Sequence, residues 1–400
     1  MGLRLCPMIT GAFSLLAVVV PGVGAAPAGP PAFRAVTIDE QVGIGYGVAL
    51  GDVDGDGKTD VILVDDKQIR WYRNPVWDRF VVTRNLTEKD HVCIAARDIN
   101  GDGMVELAAG AGWNPRDTVA SGSVHTLNPQ AERTERWDAM ALPHEPTVHR
   151  MRWLRSRGGP LLVVAPLHGR GNKDGDGEGV RLLGYRPATK SGGEWSRVLL
   201  DGTLHMTHNV DPVAWDDDPE EELLVIGREG IFLLDEKDDG WWRKPLGKSP
   251  DEFPGGSEVR LGKLPGGKRF LAAVEPFHGH QLVTYMEPSR GDVGLWQRHV
   301  VDDTLKAAHA VACGDVSRRG SDQVVVGWRS PDANGRVGVR LYSPTDESGT
   351  GWTATSIDDG GMACEDLRLG DLNGDGWLDI VAAGRATHNL VIYWNEGAKK

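Results

Sequence analysis

The sequence is short of cysteine, of basic charge and of long apolar runs, and each shortage excludes something. Only four cysteines occur in 400 residues. Cys6 precedes an apolar leader, so an odd three remain, Cys93, Cys313 and Cys364, and a disulfide framework does not organise this chain. All three lie in apolar strand patterns (HVCIAA, HAVACGD, GMACEDL) and read as small hydrophobes, not catalytic thiols. Lys and Arg number 44 against 57 Asp and Glu, a formal net charge of -13. Phosphate backbones are held chiefly by Lys and Arg, which disfavours a nucleic-acid partner. Beyond the leader no segment has the 18 or so consecutive apolar residues of a membrane span. Helical periodicity is also missing, which argues against a bundle.

The leader itself reads as an export signal. It has a cationic Arg4, an apolar run from Ile9 to Val20, then Pro21 and the small residues Gly22, Gly24, Ala25 and Ala26. A run of about 12 residues is too short to cross a bilayer. Residues 1–26 are therefore expected to be removed near Ala25 or Ala26, sending the mature protein to the periplasm or the extracellular space.

What the chain does have is glycine, 53 residues, and repetition. ALGDVDGDGKTDVILVDD from Ala49, AARDINGDGMVELAAGAG from Ala95 and RLGDLNGDGWLDIVAAGR from Arg368 are near copies, each reading as strand, acidic turn, strand. Degenerate versions begin at Arg152, Ala214, Leu261 and Ala312, making seven units. A third strand follows each pair, as in IRWYRNP, VHTLNP and VIYWNEG, and a fourth opens on an aromatic residue in all units but the last. The last lacks a fourth strand because the chain ends. FRAVTID from Phe33 has the pattern of WTATSID from Trp352 and fills the vacancy. The expected fold is all-β: a seven-bladed β-propeller over residues 33–397, closed by the mature N-terminal strand, with repeats of about 50 residues.

In DVDGDGKTD the residues Asp52, Asp54, Asp56 and Asp60 stand at positions 1, 3, 5 and 9 of a tight loop. Hard cations need many oxygens from such a loop, and its glycines allow the wrap. Asp98, Asn100, Asp102 and Glu106 repeat the spacing, as do Asp371, Asn373, Asp375 and Asp379. Calcium is the expected ion. The Asp216, Asp218, Glu220, Glu222 run reads as a solvated acidic turn. All these turns join first to second strands and share one face.

The opposite face gathers histidine. Where the first strands begin, the blades present Tyr46, His91, His149, His208, Ser257, His309 and Glu365. The second-strand exits and adjoining loops add Trp113, His168, Arg170, His205, His278, His280, Arg329, Arg385, His388 and Asn389. Imidazole moves protons near neutral pH and binds zinc and similar borderline metals, and arginine stabilises an enolate or carboxylate. Such a mouth suits proton abstraction beside a carbonyl with loss of a leaving group. His149, His208, His168, His309, Tyr46, Arg170, Arg329 and Arg385 are the expected catalytic set. His91, His205, His278, His280, His388, Asn389 and Trp113 are expected to contact substrate. No GxSxG, HExxH or Walker sequence occurs.

The DxDGDG turns resemble the FG-GAP or VCBS repeats of integrin-like propellers, a likeness that implies structural calcium. The segments VHRMRW, APLHGRGN, LHMTHN, AAHAVACGD, VVGWR and GRATHNLVIYWNE resemble the propeller part of aldos-2-ulose dehydratases. That resemblance implies elimination of water from a small oxidised sugar surrounded by His149, His168, His205, His208, His309, Arg329, Arg385 and His388. The cupin-like domains of those enzymes, linked to an isomerase step, have no counterpart here. Ulvan lyases, secreted propellers that eliminate on a uronate polymer, are the alternative enzyme, and a noncatalytic calcium-stabilised glycan- or protein-binding propeller is the alternative class.

Overall fold

The computed structural model describes residues 1–2, 29–188, 193–252, 254–289 and 294–398. The expected export signal falls almost wholly on residues 3–28, outside the described residues.

Seven four-stranded antiparallel sheets are arranged as the blades of a propeller. Their inner strands, Gly47–Gly51, Cys93–Arg97, Val148–Ser156, Thr207–Val213, Glu258–Lys263, Ala308–Gly314 and Cys364–Gly370, contact one another in sequence and close the ring from the seventh back to the first. The second strands are sandwiched between neighbouring blades, which explains their unbroken apolar runs: Asp60–Val64, Glu222–Gly227 and Asp379–Gly384 are buried at every position. Outer strands such as Trp352–Asp359 have one wet face and mix exposed with half-buried residues.

The N-terminal strand Pro31–Asp39 pairs antiparallel with the last strand, Leu390–Ala398, placing Thr37 opposite Val391 and Arg34 opposite Trp394. It thus completes the seventh blade beside strands from the far end of the chain, and the expected closure is observed.

A second device ties blade to blade. Tyr72, Tyr185, Tyr285, Tyr342 and Tyr393 sit at equivalent positions of five third strands, all buried. Three of their hydroxyls donate to an aspartate at the end of the preceding blade's outer strand: Tyr342 to Asp302, Tyr393 to Asp358 and Tyr72 to Asp39 at 2.6 Å. Asp39 also binds Arg70 at 2.9 Å, with side-chain exposures of 4% and 6%. Burial alone would raise the Asp39 pKa, but Tyr72, the Gln41 amide and Arg70 outweigh it and hold the carboxyl below its ordinary value. A lowered folded pKa gives stability that is present above 3.8 and is lost as the pH falls through the folded value. Asp39→Ala removes the acceptor of Tyr72 and one of the two carboxylates that hold Arg70, which keeps Asp65 at 2.7 Å, so it should cost about 1–3 kcal/mol in urea unfolding at neutral pH. The deficit should shrink on acidification below pH ~4.

Candidate active site at the channel mouth

Four inner strands contain a β-bulge at their second residue, and the residue left out of register is His149, His208, His309 or Glu365. A bulge adds one residue and re-aims its side chain. Repeated in blades three, four, six and seven, it accompanies the gathering of these groups at one end of the channel. His278 arrives from the second-strand exit of blade five, in the left-handed backbone region with φ 46°.

The imidazoles meet. His208 Nε2 lies 3.1 Å from His149 Nε2 and 2.7 Å from His278 Nε2. The His309 ring lies 4.8 Å from that of His278 and 5.3 Å from that of His208. The ligand nitrogens of His208, His278 and His309 all fall within 4.8 Å of one another. Two tautomers are set by the backbone. His208 Nδ1 donates to the Ser257 carbonyl and His309 Nδ1 to the Glu365 carbonyl, each at 2.7 Å. Their Nε2 atoms therefore carry lone pairs whenever the rings are neutral. The single lone pair of His208 faces two other ring nitrogens, and only one of them can donate to it. The nitrogens of His208, His278 and His309 are of the type and number that could hold an ion of the zinc class.

Burial keeps these rings neutral. It lowers the pKa of His149, His208 and His309 well below 6.5, helped in all three by Arg150 and by neighbouring histidines and in two of them by Arg329. Burial, then Arg329 and Arg150, bring His278 to about 3. Trp113 stacks on His149 with ring centres 4.7 Å apart, and Phe277 meets His208 edge-on at 5.2 Å.

Beside the cluster, Glu365 accepts both oxygens' worth of hydrogen bonding from Arg329 at 2.7 Å and binds Arg385 at 3.0 Å. Arg385 lies over the Tyr46 ring, and the Tyr46 hydroxyl donates to Asp90 at 3.0 Å. Burial and the Asp90 charge raise the Tyr46 pKa and keep the phenol protonated. The two arginines are therefore engaged within the protein, not standing free as a clamp.

The other expected site residues spread outward. His168 is buried near the cluster, its Nδ1 without a hydrogen-bond partner among the described residues. His91 is fully buried and its Nε2 accepts the Leu86 amide, which takes it away from any substrate. His205 pairs with Glu229 at 3.1 Å on the rim. Arg170 binds Glu145 and the Val119 carbonyl. His280 is exposed, His388 is exposed and bound to the Val42 and Gly43 carbonyls, and Asn389 donates to the Gly361 carbonyl. Phe277 and the tie between Glu365 and the arginines were missed by sequence reasoning. Phe277 had a signal in its place next to His278; Glu365 had one in its alignment with three histidines.

At the other end of the inner strands lie the acidic turns. Asp52, Asp98 and Asp371 each accept two amides, from Gly55 and Gly57, Gly101 and Gly103, and Gly374 and Gly376. Those six glycines have φ between 75° and 87°. Oxygens of Asp52, Asp54 and Asp60 come within 4.8 Å of one another, and so do those of Asp216, Asp218 and Glu222. Asn100 and Asn373 bridge to Asp102 and Asp375.

The architecture is that of a seven-bladed β-propeller. Residues 52–109 match an FG-GAP-like repeat, the segment that spans the first two DxDGDG turns. No curated protein matches the sequence. Among solved structures, the chain is similar to one in a crystal structure of the mitotic checkpoint complex, with 13% identity over all of both chains and a TM-score of 0.55. It is also similar to the Cps50 (Swd1) β-propeller domain of Myceliophteria thermophila, at 12% identity over 90% of this chain and 99% of that one, TM-score 0.54. A third likeness is to BBS1N in complex with ARL6DN, at 15% identity over 91% and 97%, TM-score 0.54. At these identities the likeness is one of fold.

Proposed function

We propose that the protein is an exported carbohydrate lyase of the dehydratase kind, eliminating water or another leaving group from an oxidised sugar. The observation that carries this reading is the set of buried neutral imidazoles held by bulges at the channel mouth, with a protonated tyrosine beside them. His149, at the edge of the cluster under Trp113, is the base in this reading and takes the proton next to the sugar carbonyl. The C–H electron pair becomes the new double bond, and the C–O bond opposite breaks. Tyr46 is the acid in this reading, its hydroxyl turning from Asp90 to protonate the departing oxygen, and Arg329 and Arg385 lend positive charge to the side where negative charge develops. His208, His278 and His309 fit an ion of the zinc class, with two Nδ1 hydrogens fixed by carbonyls as metal-ligating histidines require. When bound, that ion would polarise the carbonyl. Calcium is assigned to the DxDGDG turns as a structural ion.

The engagement of both arginines with Glu365 speaks against a uronate polymer, whose carboxylates need free guanidiniums. The test is to incubate purified protein with an aldos-2-ulose and follow ultraviolet absorbance, with metal analysis of the same preparation. An unsaturated product and about one borderline metal per chain are expected. Glycan binding without consumption would overturn the reading in favour of a recognition propeller.

A further inference from the structure

Below the histidines the channel holds a second charged assembly that the elimination reading does not use. One residue further along the inner strands come Arg150, Asn209, Glu258 and Asp366, and two beyond those come Arg152, Asp211, Arg260 and Arg368. Arg150 approaches Glu258 at 3.6 Å, Arg260 approaches both Glu258 at 3.6 Å and Asp211 at 3.7 Å, and Arg368 binds Asp366 at 2.7 Å. Four guanidiniums thus meet three carboxylates. Arg152 is the unpaired member. Among the described residues no carboxylate lies within salt-bridge distance of it, and its Nη1 donates only to the carbonyl of its own neighbour, Met151, at 2.8 Å.

Arg152 is half-buried, and burial together with Arg368 and Arg260 lowers its pKa to about 9, which still leaves a cation at neutral pH. With Arg368, Trp153 and Pro212 it lines an axial chamber of about 420 Å³. The chamber's other cation, Arg97, is already committed to Glu221 through bonds of 2.7 and 2.9 Å. Arg152 is thus a half-buried guanidinium with no carboxylate within salt-bridge distance among the described residues. Its unused N–H donors face a space large enough for a ligand, and the Arg150–Glu258 layer separates that space from the imidazoles above.

We propose that this lower chamber is an anion site, binding a small oxyanion between the guanidiniums of Arg152 and Arg368. The planar N–H pairs of arginine match tetrahedral and carboxylate oxygens, and the layer's surplus positive charge supplies the attraction. The same chemistry would serve an inorganic dianion or the carboxylate of a sugar acid.

Calorimetric titration of the full-length mature protein with sulfate, phosphate and glucuronate, each in a chloride background, distinguishes those sources. Saturable binding of at least one is expected, weakened tenfold or more in Arg152→Gln with unchanged circular dichroism. Wild-type crystals soaked in selenate should show anomalous density beside Arg152, which tests the site even if the variant does not fold. No saturable binding of any of the three, equal affinity in Arg152→Gln, or selenate bound only elsewhere would overturn the proposal. None of these readouts depends on turnover, so the site and the elimination reading fail separately.

Discussion

His208→Ala should remove turnover by about 10²–10⁴-fold, the range for loss of a positioned catalytic group, while leaving the propeller folded. His208 is the hub of the mouth: its Nε2 touches two other imidazoles, its ring contacts Phe277 and His309, and its Nδ1 is anchored to the Ser257 carbonyl. Deleting the ring leaves that carbonyl unpaired, at a cost of about 1–3 kcal/mol, which a protein with seven closed blades tolerates. Metal content should fall with activity, because two nitrogens cannot replace three. His205→Ala is the control. That ring sits on the rim, 43% exposed and paired with Glu229, and its loss should change the rate only a few-fold. Full activity in His208→Ala would sink the proposed chemistry. Parallel loss of activity and of thermal stability would instead mark the histidines as packing between blades.

The architecture was legible because propeller blades must repeat. Each unit needs a buried second strand, a turn and an aromatic at the outer edge, so a one-dimensional pattern such as ALGDVDGDGKTDVILVDD carries most of the information. Closure was legible for the same reason: FRAVTID matches an outer strand, and Asp39 proves to make the same bond to Tyr72 that Asp302 makes to Tyr342. The tyrosine latches were not anticipated, since each depends on which blade lies next to which.

The site was legible as a face but not as a geometry. Counting positions from the acidic turns places His149, His208 and His309 at one mouth, since strand direction alone fixes the end. What sequence cannot convey is the bulge. Without it, alternation would leave these side chains in the regular ladder, and nothing in VHRMRW or THNVDPV announces an unpaired residue. His91 shows the converse. It lies two residues before its strand, where the other three lie inside theirs; among the described residues its inner strand pairs without a register shift, and the ring ends inside the protein against the Leu86 amide. Arg329 and Arg385 look like a substrate clamp until Glu365, one residue of the same ring, takes both.

Chelation should lower the melting temperature by about 10 °C in a reversible, calcium-specific way. The first turn brings the carboxylates of Asp52, Asp54 and Asp60 within 4.8 Å of one another. Burial, then Asp54 and Asp56, raise the Asp60 pKa to about 6; burial, then Asp375 and Asp371, do the same for Asp379. Asp54 leans on Arg73 at 2.6 Å through one oxygen, while its other oxygen is buried with no hydrogen-bond partner among the described residues. Each turn also anchors its blade: Asp60 accepts the Val53 and Asn74 amides, and Asp379 those of Leu372 and Asn395. An ion at a hundredfold excess over its Kd contributes about 2.7 kcal/mol. Three such sites contribute about 8 kcal/mol, and an unfolding entropy near 2.1 cal/mol/K per residue converts that to about 10 °C for a chain of this length. Calcium-binding stoichiometry then decides the fourth turn. Three ions per chain would leave Asp216, Asp218 and Glu222 as the solvated acidic run their sequence suggests, whereas four would enlist the carboxylates that the fold draws together there. A melting temperature indifferent to both chelator and calcium would mean that the glycine amides and the neighbouring Arg73 and Lys58 hold these turns unaided.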